Sequence, residues 1–546
     1  MILFFIILAL ISIKPYLSNS FPYTHDGENH LARFANYKIA IREGQFPPRF
    51  APNLLNHYGY PVFNYNYPLA NIISLPFSFL KINYELTFKI IVFSFVLAGI
   101  IGVNQWLKSL KFDKKTRIFA ITIFSLTPYL INALSYRGNI GEIMAFCLMP
   151  WLFYFIEKPT DRSFTKNGMR FFFQTITWIM FFLSHNIAVL FGTPLLIIYS
   201  LYKYKKTIFK QVSLLFSFIL GIISTLWFWL PAFFEKKLVV LDNANLSKGF
   251  SDHFPTLNQL LFSQFEFGFS KIGSIDSLSF QIGIVQIFIL LIALVLMVKN
   301  QLTNYAKFLL VLLIPLFILQ LKWTRPLWEV IPLAHYIQFP WRLSMFLGIL
   351  IIPLSALVFS KVNKIIKIFL ISLILIQLIL ITRVKPADYF HKKNIDYDAF
   401  SQTTSTANEN LPKDFTYKGF ADWQPTATIL EGDGSVIVNY WSGTKRSYQL
   451  KLNSLATIIE PTANFLGWKT TANGEEISYI NDEVISGRIA YQLPAGEYQI
   501  NSQFTQNTWP RLLGNILSTL GTLSLIMLSS KSYLEKIFKL SNVIKK

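Results

Sequence analysis

The sequence predicts an all-α membrane protein of about twelve spanning helices, with one β-sandwich outside the bilayer near its C-terminus and a final spanning helix after it. Three observations predict it. Of 546 residues, 53% are hydrophobic and only 14% are charged, whereas about a quarter of a soluble domain is charged. Apolar runs of about 20 residues, enough to cross ~30 Å of hydrocarbon, recur from residue 86 to residue 381. Between residues 386 and 508 those runs stop, and short alternating segments divided by turn residues replace them.

Crossings are expected at 1–17, 86–107, 117–134, 140–157, 170–183, 187–202, 210–231, 281–298, 305–321, 341–360, 364–381 and 511–530. The first run has neither a basic n-region nor a small-residue cleavage site, so it reads as an uncleaved helix. Basic residues gather in the connections: Lys108 to Arg117; Lys158, Arg162, Lys166 and Arg170; Lys203 to Lys210; Lys361 to Lys367; and the tail from Lys531 to Lys546. With these crossings every cluster falls on one side, which the positive-inside rule makes cytoplasmic. Both termini then lie in the cytoplasm. The first loop 14–85, the turns 135–139 and 184–186, the loops 232–280 and 322–340, and the segment 385–510 lie outside. The run 67–80 contains Pro68, Asn71 and Pro76 and is short for a crossing. It favours a juxtamembrane or re-entrant helix; were it to cross, the loop before it would face the cytoplasm.

The chain divides accordingly into a transmembrane domain at 1–384, an outer domain at 385–510, a helix at 511–530 and a basic tail at 531–546. In the outer domain, segments 435–440, 447–452, 457–459, 487–492 and 497–504 alternate, with turns at Gly432-Asp433-Gly434, Asn473-Gly474 and Pro494-Ala495-Gly496. That pattern suits an antiparallel sandwich of about 100 residues. It reads as a cap or docking domain, with glycan stacking open to Trp423, Trp441 and Trp468 if they are exposed. No acid pair or nucleophile with its base places catalysis there.

The formal charge of +21 belongs to helix-orienting loops, so nucleic acid is not an expected partner. Cys147 is the single cysteine, which excludes an intrachain disulfide and a cysteine zinc site. Seven histidines include no pair four apart on one helix, and Asp26 with His30 offers at most two ligands, so no metal site is assigned. Phosphate-cradling glycine loops, nucleophile elbows and dinucleotide fingerprints are absent.

Polar residues near the outer face carry what chemistry remains. Asp26, His30, Arg33 and Tyr37 recur at spacings of four, three and four, which lines them along one helix face. Asp26 stands where an N-cap would stand. Capping needs no imidazole and guanidinium beside it, so the alternative is a carboxylate acting as base with His30 and Arg33 meeting an anion. Arg49 precedes an aromatic stretch, Tyr58 to Pro68, that includes Tyr60 and Asn64 and suits either an interfacial belt or a platform for sugar rings. Arg137 and Glu142, His185 in Ser184-His185-Asn186, and Arg342 in Gln338-Phe339-Pro340-Trp341-Arg342 all sit at outer helix ends. Snorkelling accounts for each singly; their common side points to one cavity.

These motifs, with Gly44-Gln45-Phe46-Pro47-Pro48-Arg49, Gly59-Tyr60-Pro61-Val62-Phe63-Asn64-Tyr65, Gly467-Trp468 and Leu493-Pro494-Ala495-Gly496, resemble a family of bacterial membrane proteins labelled 6-pyruvoyl-tetrahydropterin-synthase-related. The histidine arrangement of a pterin enzyme is not among them. The organisation also resembles C-type glycosyltransferases, which have an acidic first outer loop, juxtamembrane helices, many spans and an outer domain. That resemblance implies a polyprenyl-phosphate-linked sugar donor, a glycan, lipid or protein acceptor, and inverting transfer in a bacterial plasma (inner) membrane. Asp26 would be the base and Glu28 its helper. His30, Arg33, Arg49, Tyr60, Asn64, Arg137, Glu142, His185 and Arg342 would bind substrate, with Arg137, His185 and Arg342 at the lipid phosphate. Some branches hold a divalent cation on the loop acid, so Mg or Mn is admitted but not required. Those branches carry paired acids, whereas Gly27 separates Asp26 from Glu28 here. The rival expectation is a non-catalytic lipid or polysaccharide transporter, or a scaffold displaying the outer domain.

Overall fold

A helix stands at each of the twelve expected positions, and length separates them. The computed structural model describes all residues except 160–167, 243–248, 272–275, 332, 406, 417–422, 482 and 545–546. Arg162, Lys166, Lys545 and Lys546 of the basic clusters therefore lie outside the described residues. Among the described residues, eight helices are long and apolar enough to cross a membrane: Tyr84–Ser109, Lys114–Arg137, Ile140–Glu157, Asn186–Lys210, Val212–Leu238, Pro340–Lys361, Lys364–Thr382 and Trp509–Ser530. A ninth forms if Asn304–Ile318 and Lys322–Val330, bent by 96° at their junction, count as one. Ile2–Ser12, Gly168–Ser184 and Ile284–Val298 have 11, 17 and 15 residues, about 16–26 Å at 1.5 Å per residue. Each falls short of the expected ~30 Å. The run at 67–80 forms the eleven-residue helix Leu69–Phe79 with Pro76 inside it, and is not among the eight.

Burial ranks the helices. The apolar windows of Lys114–Arg137 and Pro340–Lys361 are each 89% buried and that of Ile140–Glu157 is 83% buried, whereas Lys364–Thr382 and Trp509–Ser530 are mostly exposed to the surroundings. The three buried helices are the centre of the bundle, and their ends carry Arg137, Glu142 and Arg342. Lys114–Arg137 is not a regular helix. Pro128 interrupts it and its last turn, Ala133–Arg137, is a π-helix, a form frequent at functional sites.

The first loop is covered, not exposed. Its helix Gly27–Arg42 is buried along most of its length. The expected aromatic belt or platform is absent: Tyr58, Tyr60, Phe63 and Tyr65 are all buried. Two segments distant in sequence bury it. Phe21–Pro22 pairs antiparallel with Tyr389–Phe390. Downstream of it, Lys38 meets Asp398 at 2.7 Å, Arg33 holds Thr404, and the Tyr60 hydroxyl lies 2.6 Å from Ser405 Oγ.

Two antiparallel sheets follow. One has five strands in the spatial order Gly434–Trp441, Lys445–Leu452, Gly496–Phe504, Trp468–Ala472, Glu475–Glu476; the other orders Thr428–Glu431, Ala456–Ala463, Arg488–Leu493. Alternate residues point inward, so Tyr448, Leu450 and Ile500 of the first meet Ile458 and Tyr491 of the second. The tryptophans do not form a glycan platform. Trp441 and Trp468 sandwich the Arg446 guanidinium at 4.5 Å each, and Arg446 pairs with the buried Glu460 at 2.5 Å. Trp423 packs on His57 and donates to the Pro461 carbonyl.

Candidate functional site

Asp26 begins the helix Gly27–Arg42, yet its carboxylate makes no capping hydrogen bond. Thr24 Oγ1 takes that role, accepting from Gly27 N at 3.2 Å. The main chain at this point is fastened to the π-helical turn: His25 N donates to Tyr136 O (3.0 Å) and Asp26 N to Arg137 O (2.8 Å). Gly138 makes this approach feasible. It has φ of +60°, and a Cβ there would lie 2.1 Å from Thr24 Oγ1.

Half-buried Asp26 accepts through Oδ2 from Asn139 Nδ2 at 3.1 Å. Asn139 in turn caps the helix Ile140–Glu157, its Oδ1 accepting from Glu142 N at 3.0 Å and from the Tyr67 hydroxyl at 3.0 Å. One residue therefore links Asp26 to Glu142. Glu142 is 1% exposed and is shared: Arg137 Nη1 donates to Oε2, Tyr129 OH donates to Oε2 at 2.8 Å, and Arg342 Nε donates to Oε1 at 3.1 Å. His185 Nε2 stands 3.6 Å from Oε1, while its Nδ1 accepts from Ala188 N. That bond assigns the ring proton to Nε2, facing Glu142.

Arg342 also donates to Ile337 O and Gln338 Oε1. Aromatic faces complete the walls. Arg137 lies 4.9 Å from the Trp341 ring, Arg342 4.9 Å from Phe339, and Tyr67 packs on His185. Two guanidinium groups share one carboxylate, leaving one positive charge in excess, with Asp26 within Coulombic reach of both. Buried charges of this kind require pairing, and Asp26 is the second negative charge within reach of the two arginines.

The histidines beside it are neutral. Burial, reinforced by Arg137, lowers the His25 pKa to about 4, and its ring stacks on Phe269 at 4.5 Å. Burial, with Arg33 and His185 adding, holds His30 well below the ordinary range, and its Nε2 has no hydrogen-bond partner among the described residues.

Asp26, Arg137, Glu142, His185 and Arg342 thus converge, with His30 near His185. The other residues singled out in the sequence have their contacts elsewhere. Glu28 pairs with Lys392, and the Arg33 guanidinium donates to both the hydroxyl and the carbonyl of Thr404. Arg49 donates to Trp227 O at 2.6 Å and to Gln506 Oε1, and Tyr60 accepts from Asn410 N. Asn64 donates to Glu235, which also takes Arg511 at 2.8 Å and Thr508.

Three members were not singled out. Tyr67 and Tyr129 are polar groups hidden in apolar surroundings, and the Pro128 break beside Tyr129 is the one sequence cue. Glu409 has none. It is half-buried near Arg33 and Asp26, and desolvation, opposed by hydrogen bonds and Arg33, leaves its carboxyl pKa raised. As for a divalent cation, no group of three or more His, Cys, Asp or Glu is gathered among the described residues. Asn139 turns its amide nitrogen, and not an oxygen, toward Asp26, which does not fit a hard cation that needs several oxygen ligands.

Among solved structures, the arabinofuranosyltransferase AftD from Mycobacteria, seen by cryo-electron microscopy, is similar at 14% identity and a TM-score of 0.45. The match covers 71% of this chain and 27% of that one, so the chain spans about a quarter of AftD. No curated protein matches the chain. The model of the 6-pyruvoyl-tetrahydropterin synthase related domain, described as a membrane protein, matches residues 63–389, more than half of the chain, which therefore belongs to that family.

Proposed function

We propose that this protein is a membrane glycosyltransferase that moves a sugar from a polyprenyl-phosphate donor to an acceptor hydroxyl on the outer face of a bacterial inner membrane. In this reading all twelve apolar helices cross or enter the bilayer, and the basic loops face the cytoplasm. The observation that carries it is the placement of Asp26. A half-buried carboxylate, not engaged in capping its own helix, lies one asparagine away from Glu142, the carboxylate that two buried arginines share at the end of the bundle core.

The chemistry follows from that placement. Asp26 removes the proton of the acceptor hydroxyl as its oxygen attacks the anomeric carbon. The bond from that carbon to the phosphate oxygen breaks with inversion, and the polyprenyl phosphate leaves with the electron pair. Arg137 and Arg342, pre-aimed by Glu142 and held over Trp341 and Phe339, meet the developing charge on phosphate. His30 and His185, neutral or proton-donating, line the same side. Arg33 and Glu28 act on the site indirectly, by tying the Asp26 helix to residues 392 and 404.

The test is transfer of radiolabelled sugar from polyprenyl-phosphate donors in membranes with and without the protein. Asp26→Asn is expected to lower transfer by roughly 10²–10⁴-fold, the usual worth of a general base, at unchanged protein level. Arg342→Ala is expected to weaken donor binding as well, and Lys114→Ala to do neither. Wild-type rates in Asp26→Asn would remove Asp26 from the mechanism. No transfer by wild-type membranes to any acceptor would remove the transferase reading.

A further inference from the structure

One large apolar side chain of the otherwise covered first loop is left bare. Phe46 is 82% exposed, at the tip of the turn Gly44-Gln45-Phe46-Pro47-Pro48-Arg49 that follows the helix Gly27–Arg42. Residues 44–48 carry no charge. Their one polar side chain is turned inward. Buried Gln45 accepts through Oε1 from Arg49 N and Phe50 N, both at 3.1 Å, and donates through Nε2 to Phe50 O at 2.7 Å. These bonds close the turn on itself, so a fixed backbone presents Phe46.

The turn is also fastened at a definite depth. Pro231 has no N–H, so the carbonyl of Trp227, four residues earlier, has no donor at that position of its own helix Val212–Phe234. Arg49 Nη2 supplies one at 2.6 Å, and its guanidinium lies 5.6 Å from the Trp227 ring. Trp227 stands fifteen residues after Val212, about 22 Å along the helix at 1.5 Å per residue, which is short of ~30 Å of hydrocarbon. Arg49 also reaches Asn515 Oδ1 at 3.5 Å. Asn515 lies six residues into the helix Trp509–Ser530, about 9 Å from its start. Both helices are long and apolar enough to cross a membrane, and their ends meet where Phe234 packs on Trp509 at 4.6 Å. Gln506, three residues before Trp509, donates to Pro47 O at 2.8 Å. The turn is thus held between Gln506, beyond the helix ends, and Trp227 and Asn515, well inside them.

We propose that Phe46 is a membrane anchor. The turn 44–48 enters the leaflet on the side of the first loop, and the Phe46 ring lies at the boundary between headgroups and acyl chains. Phe233, Phe234, Trp509 and Leu513, exposed on the two adjoining helices, form the belt that it joins. In water the ring would keep its apolar surface hydrated, which is unfavourable; at this boundary that surface is buried by lipid. The anchor holds the first loop, and with it the helix that begins at Asp26, against the bilayer. It does not depend on the transferase reading.

The experiment uses the full chain with Cys147→Ser, reconstituted in phosphatidylcholine vesicles. A nitroxide spin label is attached at Phe46→Cys. Its accessibility to oxygen, which concentrates in hydrocarbon, is compared with its accessibility to a water-soluble nickel chelate present on both sides of the membrane. Ile516→Cys on the helix Trp509–Ser530 and Lys451→Cys on the outer domain give the two reference ratios, since both positions are exposed. The label at Phe46→Cys is expected to favour oxygen over nickel, in the sense of Ile516→Cys and opposite to Lys451→Cys. Pro47→Cys is the second labelling site should the first variant not fold. A label reached more by nickel than by oxygen would overturn the proposal, because the turn would then stand in water. So would a label shielded from both, because a second copy of the chain would then cover the turn.

Discussion

Glu142→Gln tests the buried cluster most sharply. The substitution keeps the size of the side chain and leaves a carbonyl for the Tyr129 hydroxyl, but it removes the one charge that Arg137 and Arg342 share. Glu142 is 1% exposed and the arginines 6% and 7%, so water cannot substitute for it. Breaking a buried pair by removing one partner costs about 3–5 kcal/mol. Here two guanidinium groups are orphaned and only Asp26 remains to oppose them, which places the expected loss toward the upper end. The cost should fall when the excess charge is removed as well. Glu142→Gln with Arg342→Gln is therefore expected to be more stable than Glu142→Gln alone, a coupling of ~1–3 kcal/mol for residues in one network. The assay is thermal unfolding of the full chain in a fixed detergent, followed by tryptophan fluorescence. If Glu142→Gln melts with the wild type, or if the second substitution adds to the damage, the arginines do not depend on Glu142 and the electrostatic account is wrong.

Three further outcomes are expected. In a Cys147→Ser background, cysteine at Asn29 or Gly434 should react with an impermeant maleimide added to intact cells and cysteine at Lys114 should not; the reverse pattern would invert the membrane orientation. Because burial lowers the pKa values of His25 and His30, the unfolded chain, with His near 6.5, binds protons first as pH falls. Their contribution to stability is complete above about pH 6.5 and is lost below it, for His25 down to about 4. His30→Gln should accordingly lose less of its melting temperature between pH 7.5 and 5 than the wild type, and an equal loss would dismiss this source. Residues 424–508 expressed alone should be soluble, with β-type circular dichroism and a cooperative melt, and a helical or unfolded spectrum would show that the two sheets need the membrane part.

Much of this molecule is legible in one dimension because membranes and sheets impose simple periodicities. An apolar run of about 20 residues has few alternatives to a spanning helix, and the alternation at 447–452 and 497–504 is that of half-buried strands. Ionisable residues inside or beside apolar runs are conspicuous for the same reason. Arg137, Glu142, His185 and Arg342 stand out in the sequence on that ground alone. Short helices were less legible. Hydropathy reports composition over a window, not where a proline or a bend ends the helix, and so 305–321 reads as one span although the chain turns by 96° after Ile318.

What the sequence by itself determined is the class of the protein, the places where helices and strands form, and a short set of buried charges, because each depends on neighbours in the chain. Which charges meet is a different matter. That Glu142 serves both Arg137 and Arg342, 205 positions apart in number, follows only from the packing of three central helices. That Arg33 and Tyr60 bind Thr404 and Ser405, and that Glu409 comes near Asp26, follows from a late segment laid over the first loop, and that Asn64 binds Glu235 follows from the end of the helix Val212–Phe234 reaching the same loop. Such pairings are decided by long-range closure of the chain, where the cost of an unpaired buried charge selects the partner and no local pattern records the choice.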